Sequence, residues 1–357
     1  MNRKLSKKNI VFLIIFLIAI CASGCKSRSA ESVSGTGFYF DTVVSFTVYG
    51  TDDRQIINDL MTECSRYEKI FSPTDKESDL YRLNHRETDE VSEDLYNCIT
   101  YANEYCRLLD GRYDISIRPV SELWNFQDGK NEVPAVGEIE NGLQNVNFQN
   151  IGLIGRIGDE NKCRIHLEEG MMLDLGSAAK GYIGDKLCEY LKERGYESAI
   201  VSLGGNIQCL GGKANDKDVT EGFKVAVKSP FENADDEKGS MKSQNYADVL
   251  IVSDMSVITS GIYERCFESN GVLYHHILDA KTGYPVDSEL ASVTILCKSG
   301  SEADILSTVC FIAGYEKTLE LMDKIAVING NQAFEAEFIY KDGSVKRTEG
   351  FEKYILK

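Results

Sequence analysis

The spacing of apolar positions divides the chain into strands and helices. From 38 to 49 (FYFDTVVSFTVY) apolar and polar residues alternate until Gly50, which predicts a strand. Ile56, Ile57, Leu60, Met61, Cys64 and Tyr67 recur at helical spacing within 53–71, and Leu95, Cys98, Ile99, Ala102 and Cys106 do so within 92–109. A short apolar run, Met171-Met172-Leu173, precedes a small-residue turn and another helical pattern, and Ala199-Ile200-Val201 follows. Strand-like runs then fall at 223–228, 249–253, 257–259, 273–278 and 292–297. The remaining pattern predicts a helix over 302–313, a shorter one near 317–322, and closing strands at 325–328 and 334–340. The polar stretches 213–222 and 232–244 read as surface loops. Helices and strands intermix without strict βαβ alternation, so the expected class is α+β, a mixed β-sheet with flanking helices.

The first 36 residues change the picture of where the fold begins. Arg3, Lys4, Lys7 and Lys8 precede an unbroken apolar stretch from Ile10 to Ala22, then Ser23-Gly24-Cys25. A basic head, an apolar stretch too short to span a bilayer comfortably, and small residues before a cysteine resemble a bacterial lipobox. The expectation is a lipoprotein signal peptide at 1–24, lipidation at Cys25 and a Ser-rich tether at 25–36. The domain then fills 37–357, with room for two closely packed subdomains, outside the cytoplasm on a lipid anchor.

The formal charge is −17, and removing the four basic residues of the leader makes it more negative. Such a balance argues against nucleic acid and against an anionic membrane face as direct ligands. Of the 11 cysteines, nine lie beyond the leader and Cys25, scattered singly with no CxxC. An odd, scattered set in apolar company reads as buried free thiols rather than as a disulfide framework. Zinc is disfavoured as well, because none of the four histidines pairs with a cysteine at ligand spacing.

The densest chemistry lies between 172 and 206. An apolar run ends in Asp174, Leu175-Gly176-Ser177-Ala178-Ala179-Lys180-Gly181 turns into a helix, and the next apolar run stops at Gly204-Gly205-Asn206. A strand feeding a small-residue turn at a helix start offers backbone N–H groups and a positive dipole end to an anion, best a phosphate. An ordinary strand–turn–helix unit needs the same glycines. Further on, Asp304 and Thr308 stand four apart on one helical face, a carboxylate and a hydroxyl suited to Mg²⁺. Acidic residues also favour a first helical turn for its dipole, and Ser299/Glu302 or Ser301/Asp304 could each form a capping box. The adjacent His275 and His276 must point to opposite faces of a strand, so one of them meets the core or a cleft.

LDLGSAAKGY, SLGGN, TSGIYER, HILDAKTGYPV and SEADILSTVCFIAG, in this order, resemble the ApbE family of flavin transferases. FDTVVSFTVYG, FSPTDKESDLYRLN and YDISIRPVSELWNF are similar to the family's N-terminal motifs. The resemblance implies Mg²⁺-dependent transfer of FMN from FAD to a threonine hydroxyl of an acceptor protein, with release of AMP. It implies that Asp174 hydrogen-bonds FAD beside Lys180, and that the carbonyl of Ser177 with Asp304 and Thr308 holds Mg²⁺. Asp114-Ile115-Ser116 and Leu278 are expected to line the flavin site, and His276 or an Asp to accept the threonine proton, with His276 and Asp304 as the catalytic residues. Phe40 and Thr74 belong to the same implied flavin site. Phe40 stands where the family usually has Met, Asp41 where it has Gly, and Thr74 where an aromatic is common. Without stacking at Thr74, worth about 1 kcal/mol, FAD is expected to be turned over rather than retained.

The implied acceptor is a subunit of an Rnf- or Nqr-type redox complex or an extracellular flavoprotein. Two other readings stay open: a Mg²⁺-dependent FAD pyrophosphatase and a flavin-storing lipoprotein. A solute-binding lipoprotein would suit the leader and charge, but DLGSAAKG and HILD argue against it.

Overall fold

The structure is a computed structural model, and it describes residues 31–126, 131–158, 162–214, 219–231 and 246–357. The leader, Cys25 and the start of the tether lie outside the described residues, as does the whole polar stretch 232–244.

Eight strands form the main sheet, and their spatial order is their order along the chain. They are β1 (Ser32–Tyr39), β2 (Thr42–Tyr49), β3 (Ala199–Leu203), β4 (Asn206–Leu210), β5 (Met255–Gly261), β6 (Leu290–Cys297), β7 (Glu335–Tyr340) and β8 (Val345–Arg347). Every neighbouring pair runs antiparallel. Six helices fall between β2 and β3: α1 (Gln55–Phe71), α2 (Asp79–Asn84), α3 (Glu93–Cys106), α4 (Arg118–Trp124), α5 (Val136–Leu143) and α6 (Ala179–Glu193). Two more, α7 (Gly300–Ala313) and α8 (Tyr315–Ile328), separate β6 from β7. The α+β class read from the sequence is the one observed.

The helices cover one face. Val44, Phe46 and Val48 of β2 and Val293 and Ile295 of β6 pack there with Leu60 of α1 and Leu306 and Phe311 of α7. The other face carries a smaller cluster, in which Val257 and Leu296 meet Val225, Val227 and Leu250 from the hairpin 223–228/246–252. Covered on both faces, β6 is buried at every position, Ser292 and Thr294 included.

Four local expectations change. The strand expected at 38–49 is a hairpin, β1 and β2, turning at Phe40 (φ 54°) and Asp41 (φ 56°). Two left-handed residues in a two-residue loop match the twist of the flanking strands, although neither is glycine. β1 begins at Ser32, so the fold reaches back into residues read as tether. Residues 325–328 are the end of α8 rather than a strand. The β-branched run misleads because Thr318, Leu321 and Ile325 share one buried helical face, and packing overrides propensity. Met171–Leu173 is not a strand but an extended segment. One backbone bridge joins Met172 to Ile117, and the Asn84 side chain grips both the N–H (2.7 Å) and the C=O (2.9 Å) of Leu173.

Candidate active site

The site forms at one end of the main sheet, where α6 and α7 cross at contact distance. α6 starts after a turn built by Asp174, whose Oδ1 accepts from the Gly176 amide (2.9 Å) and Oδ2 from the Ser121 hydroxyl (2.7 Å). The Asp174 amide donates to the Ile115 carbonyl (2.8 Å), tying this turn to the 114–116 segment. Ala178 at the N-cap offers no side-chain oxygen, and the amides of Ala178 and Ala179 turn back onto the Leu175 carbonyl (3.0 and 2.9 Å). Gly181 N–H, in the same first turn, donates to Asp304 Oδ2 at 2.9 Å. That bond joins two motifs 123 residues apart.

Glycine is what lets the helices meet. A Cβ on Gly181 would lie 2.1 Å from the Gly300 carbonyl oxygen and 2.7 Å from Asp304 Cβ. Beneath the crossing, Gln208 of β4 donates to the Gly181 carbonyl (2.9 Å). Gly181→Ala should therefore force backbone apart, at a cost of about 1–3 kcal/mol or more. Thermal unfolding checks this, and the variant should melt several degrees below wild type.

α7 is capped twice. Ser299 Oγ accepts from the Glu302 amide (3.2 Å), and the Asp185 carboxylate receives the amides of Gly300 (2.6 Å) and Ser301 (2.8 Å). Of the two capping alternatives, Ser299/Glu302 is the one used. Asp304 is left with one oxygen on Gly181 and, among the described residues, no hydrogen bond to the other. Thr308, half-buried, lies 3.4 Å from the Ser260 hydroxyl. This donor set fits a hard divalent cation that keeps water and phosphate oxygens in its shell. No cluster of three or more His, Cys, Asp or Glu suited to a metal occurs among the described residues, so any cation here would depend on backbone, hydroxyl and ligand oxygens.

Tyr113 connects the two halves. Its hydroxyl is 3.0 Å from Ser177 Oγ, and burial, then Cys106 and Asp304 among its neighbours, push its ionisation well above the ordinary value. His276 reaches the same field: burial, then Arg265 and His275, and also Lys180, lower its imidazole to about 4. It is therefore neutral at pH 7. Its neighbour His275 is in the core, edge-on to Phe311 at 5.8 Å. Glu264 belongs to this group, with its carboxyl raised by burial first, against the opposing charges of Lys180 and Arg265.

Other expected residues take different places. Asp114 is buried, with Oδ1 taking the amide and hydroxyl of Ser116 and Oδ2 taking the Phe148 amide (2.9 Å). Burial raises its carboxyl despite these bonds. Ser116 in turn accepts from the Asn147 amide (2.9 Å), so this pair holds the loop that supports Asp174. Ile115 and Leu278 are buried, Leu278 beside Val120, Trp124 and Phe267. Lys180 Nζ folds back onto the Gly176 carbonyl (3.1 Å). Phe40 is at the β1–β2 turn, next to the Gly204–Gly205 turn, where the Gly204 amide donates to Val43 (3.0 Å). Thr74 is exposed and bonds locally to Ser72. Sequence reasoning missed Tyr113, Ser260, Gly181 and Glu264. The quoted YDISIRPVSELWNF, TSGIYER and LDLGSAAKGY stretches contain all four, but only as parts of motifs.

Glu302 is fully buried at the start of α7, and burial pushes its carboxyl up to about 7 against the hydrogen bond from Asn329. The folded value lies above that of an unfolded glutamate, about 4.3, so its contribution is intact below that pH and lost as pH rises through 7. Glu302→Gln, which keeps the acceptor for Asn329, should raise the melting temperature at pH 8.5 and leave it nearly unchanged at pH 5.

An antiparallel sheet with a glycine-bearing helix start set against a carboxylate-bearing helix is an α+β fold shared with flavin transferases of known structure. The ApbE protein of Thermotoga maritima superposes with a TM-score of 0.75 at 27% identity, covering 92% of this chain and 100% of that one. The apo flavinyl transferase ApbE of Pseudomonas stutzeri shares the fold, with a TM-score of 0.72 at 23% identity over 91% and 97% of the two chains. The sequence model of the ApbE family matches residues 40–329, and the chain belongs to that family. A relative from Klebsiella pneumoniae (strain 342), an FAD:protein FMN transferase, is 32% identical over 284 residues, 78% of this chain and 80% of the relative. Another of the same name, from Treponema pallidum (strain Nichols), is 29% identical over 350 residues, 95% and 92% of the two chains.

Proposed function

We propose that the protein is an FAD:protein FMN transferase that moves FMN from FAD onto a threonine hydroxyl of an acceptor protein and releases AMP. The observation that carries this reading is the Gly181–Asp304 hydrogen bond, which brings the start of α6 against the carboxylate–hydroxyl face of α7. Family membership and the names of the relatives support the same activity.

In this reading the α6 start and Lys180 orient the diphosphate of FAD. Asp304, Thr308 and the Ser177 carbonyl would hold Mg²⁺, which would supply charge neutralisation at the diphosphate. The threonine oxygen attacks the FMN-side phosphorus, the bond to the AMP oxygen breaks in line, and His276 takes the hydroxyl proton. A neutral imidazole is the protonation state this role requires. Water in place of threonine converts FAD to FMN and AMP, so hydrolysis takes the place of transfer when no acceptor is present. The acceptor is proposed to be a subunit of an Rnf- or Nqr-type complex or an extracellular flavoprotein. The enzyme itself is proposed to act outside the cytoplasm, anchored through Cys25.

Incubation with FAD and Mg²⁺, with and without a candidate acceptor, followed by intact-mass spectrometry, tests the reading. An FMN phosphoester on the acceptor supports transfer. FMN and AMP alone, with an unmodified acceptor, would leave a pyrophosphatase.

A further inference from the structure

Asn206 is the first residue of β4, directly after the Gly204–Gly205 turn, and is 6% exposed. Its side-chain amide nitrogen Nδ2 is buried without a hydrogen-bond partner. Buried amide donors are nearly always paired, because removing one from water without replacement is costly. A donor left open in this way needs a reason.

Its position supplies one. Side chains two apart on a strand share a face, so Asn206 points to the same side as Gln208. Gln208 lies under the start of α7, since a Cβ on Gly300 would meet its side chain, and it bonds the Gly181 carbonyl of α6. On the neighbouring β5, Ser256 pairs with Gln208, and Ser260 reaches Ser307 (2.7 Å) and Thr308 (3.4 Å) of α7. α7 thus runs along β5, with Gly300 over the Gln208–Ser256 row and Thr308 near Ser260. Four helical residues rise about 6 Å and two strand residues about 6.6 Å, so Asp304 lies over the row that contains Asn206. The turn at Ser177 and Ala178 precedes Gly181 by one helical turn, on the same side. The unpaired amide therefore faces the gap between the start of α6 and the Asp304–Thr308 face.

We infer that Asn206 is a substrate-binding residue whose Nδ2–H donates to a phosphate oxygen of the dinucleotide in that gap. The inference rests on the proposed FAD reading of the site. The unpaired donor is a cost carried by the free protein and relieved on binding, so a site residue and a structural residue differ in sign. Removing a structural asparagine weakens fold and ligand together. Removing this one should relieve the free protein and weaken the ligand.

The test compares wild type with Asn206→Ala and with the near-isosteric Asn206→Asp, which lacks the donor and adds a negative charge. Each is melted without ligand and then titrated with FAD and Mg²⁺ by flavin fluorescence, on a time scale short against turnover. The expected result for Asn206→Ala is a melting temperature equal to or above wild type, with FAD binding weakened about 10- to 100-fold, the worth of one hydrogen bond to a charged group. Asn206→Asp should bind more weakly still. Wild-type FAD affinity in the alanine variant overturns the assignment, as does a loss of stability and affinity together. A wild-type protein that binds no FAD overturns the functional reading itself, and so separates the two failures.

Discussion

Asp304→Asn is expected to lower FMN transfer by about a thousandfold or more while the protein still folds. Asparagine keeps an oxygen for the Gly181 amide, so the crossing of α6 and α7 retains its hydrogen bond. It removes the carboxylate that shares a helical face with Thr308, and with it the charge that would hold a cation against the diphosphate. Losing a single preorganised electrostatic partner costs about 10²–10³ in rate, and losing a metal's anchoring charge costs more. Single-turnover kinetics at matched thermal stability check this. Because the amide of Gly181 stays paired, a large rate loss cannot be charged to a collapsed helix crossing.

His276→Asn should lower transfer by about 10²–10⁴, the range for a general base, with FAD affinity within a few-fold of wild type. Its imidazole is lowered to about 4, by burial first and then by Arg265 and His275. The base form is therefore lost only as pH falls through about 4. The wild-type rate should be flat from pH 6 to 8 and fall below pH 5, whereas the asparagine variant should lack that acid limb. The same lowering has a stability consequence of matching sign. An imidazole that titrates at about 6.5 in the unfolded chain and about 4 in the fold destabilises the protein as pH falls between those values. The pH–rate measurement must therefore be paired with a melt at each pH.

The sequence made the chemistry legible more fully than the architecture. Asp304 and Thr308 stood out because helical spacing puts residues four apart on one face, and the structure keeps them there. The α6 turn was visible through its run of small residues. Hidden from the sequence was the partnership between the two, since a hydrogen bond from Gly181 to Asp304 leaves no local pattern. The side-chain bonding of Asp114 and Ser116, expected from the resemblance to line the flavin site, was equally hidden: both are engaged by the 147–148 backbone, because buried carboxylates seek amides close at hand. Helix α8 defeated the local reading at 325–328, where a β-branched run gave way to the packing of Leu321 and Ile325. The β1–β2 turn was missed because Phe40 and Asp41 are not the residues that usually mark a left-handed loop.

The most direct test of the site is a crystal soaked with FAD and Mn²⁺ in place of Mg²⁺, examined by anomalous scattering. A peak about 2.0–2.2 Å from an Asp304 carboxylate oxygen and the Thr308 hydroxyl, with diphosphate oxygens completing its shell, is the expected result. FAD bound with its diphosphate away from the start of α6, or a manganese peak that touches neither Asp304 nor Thr308, would contradict it.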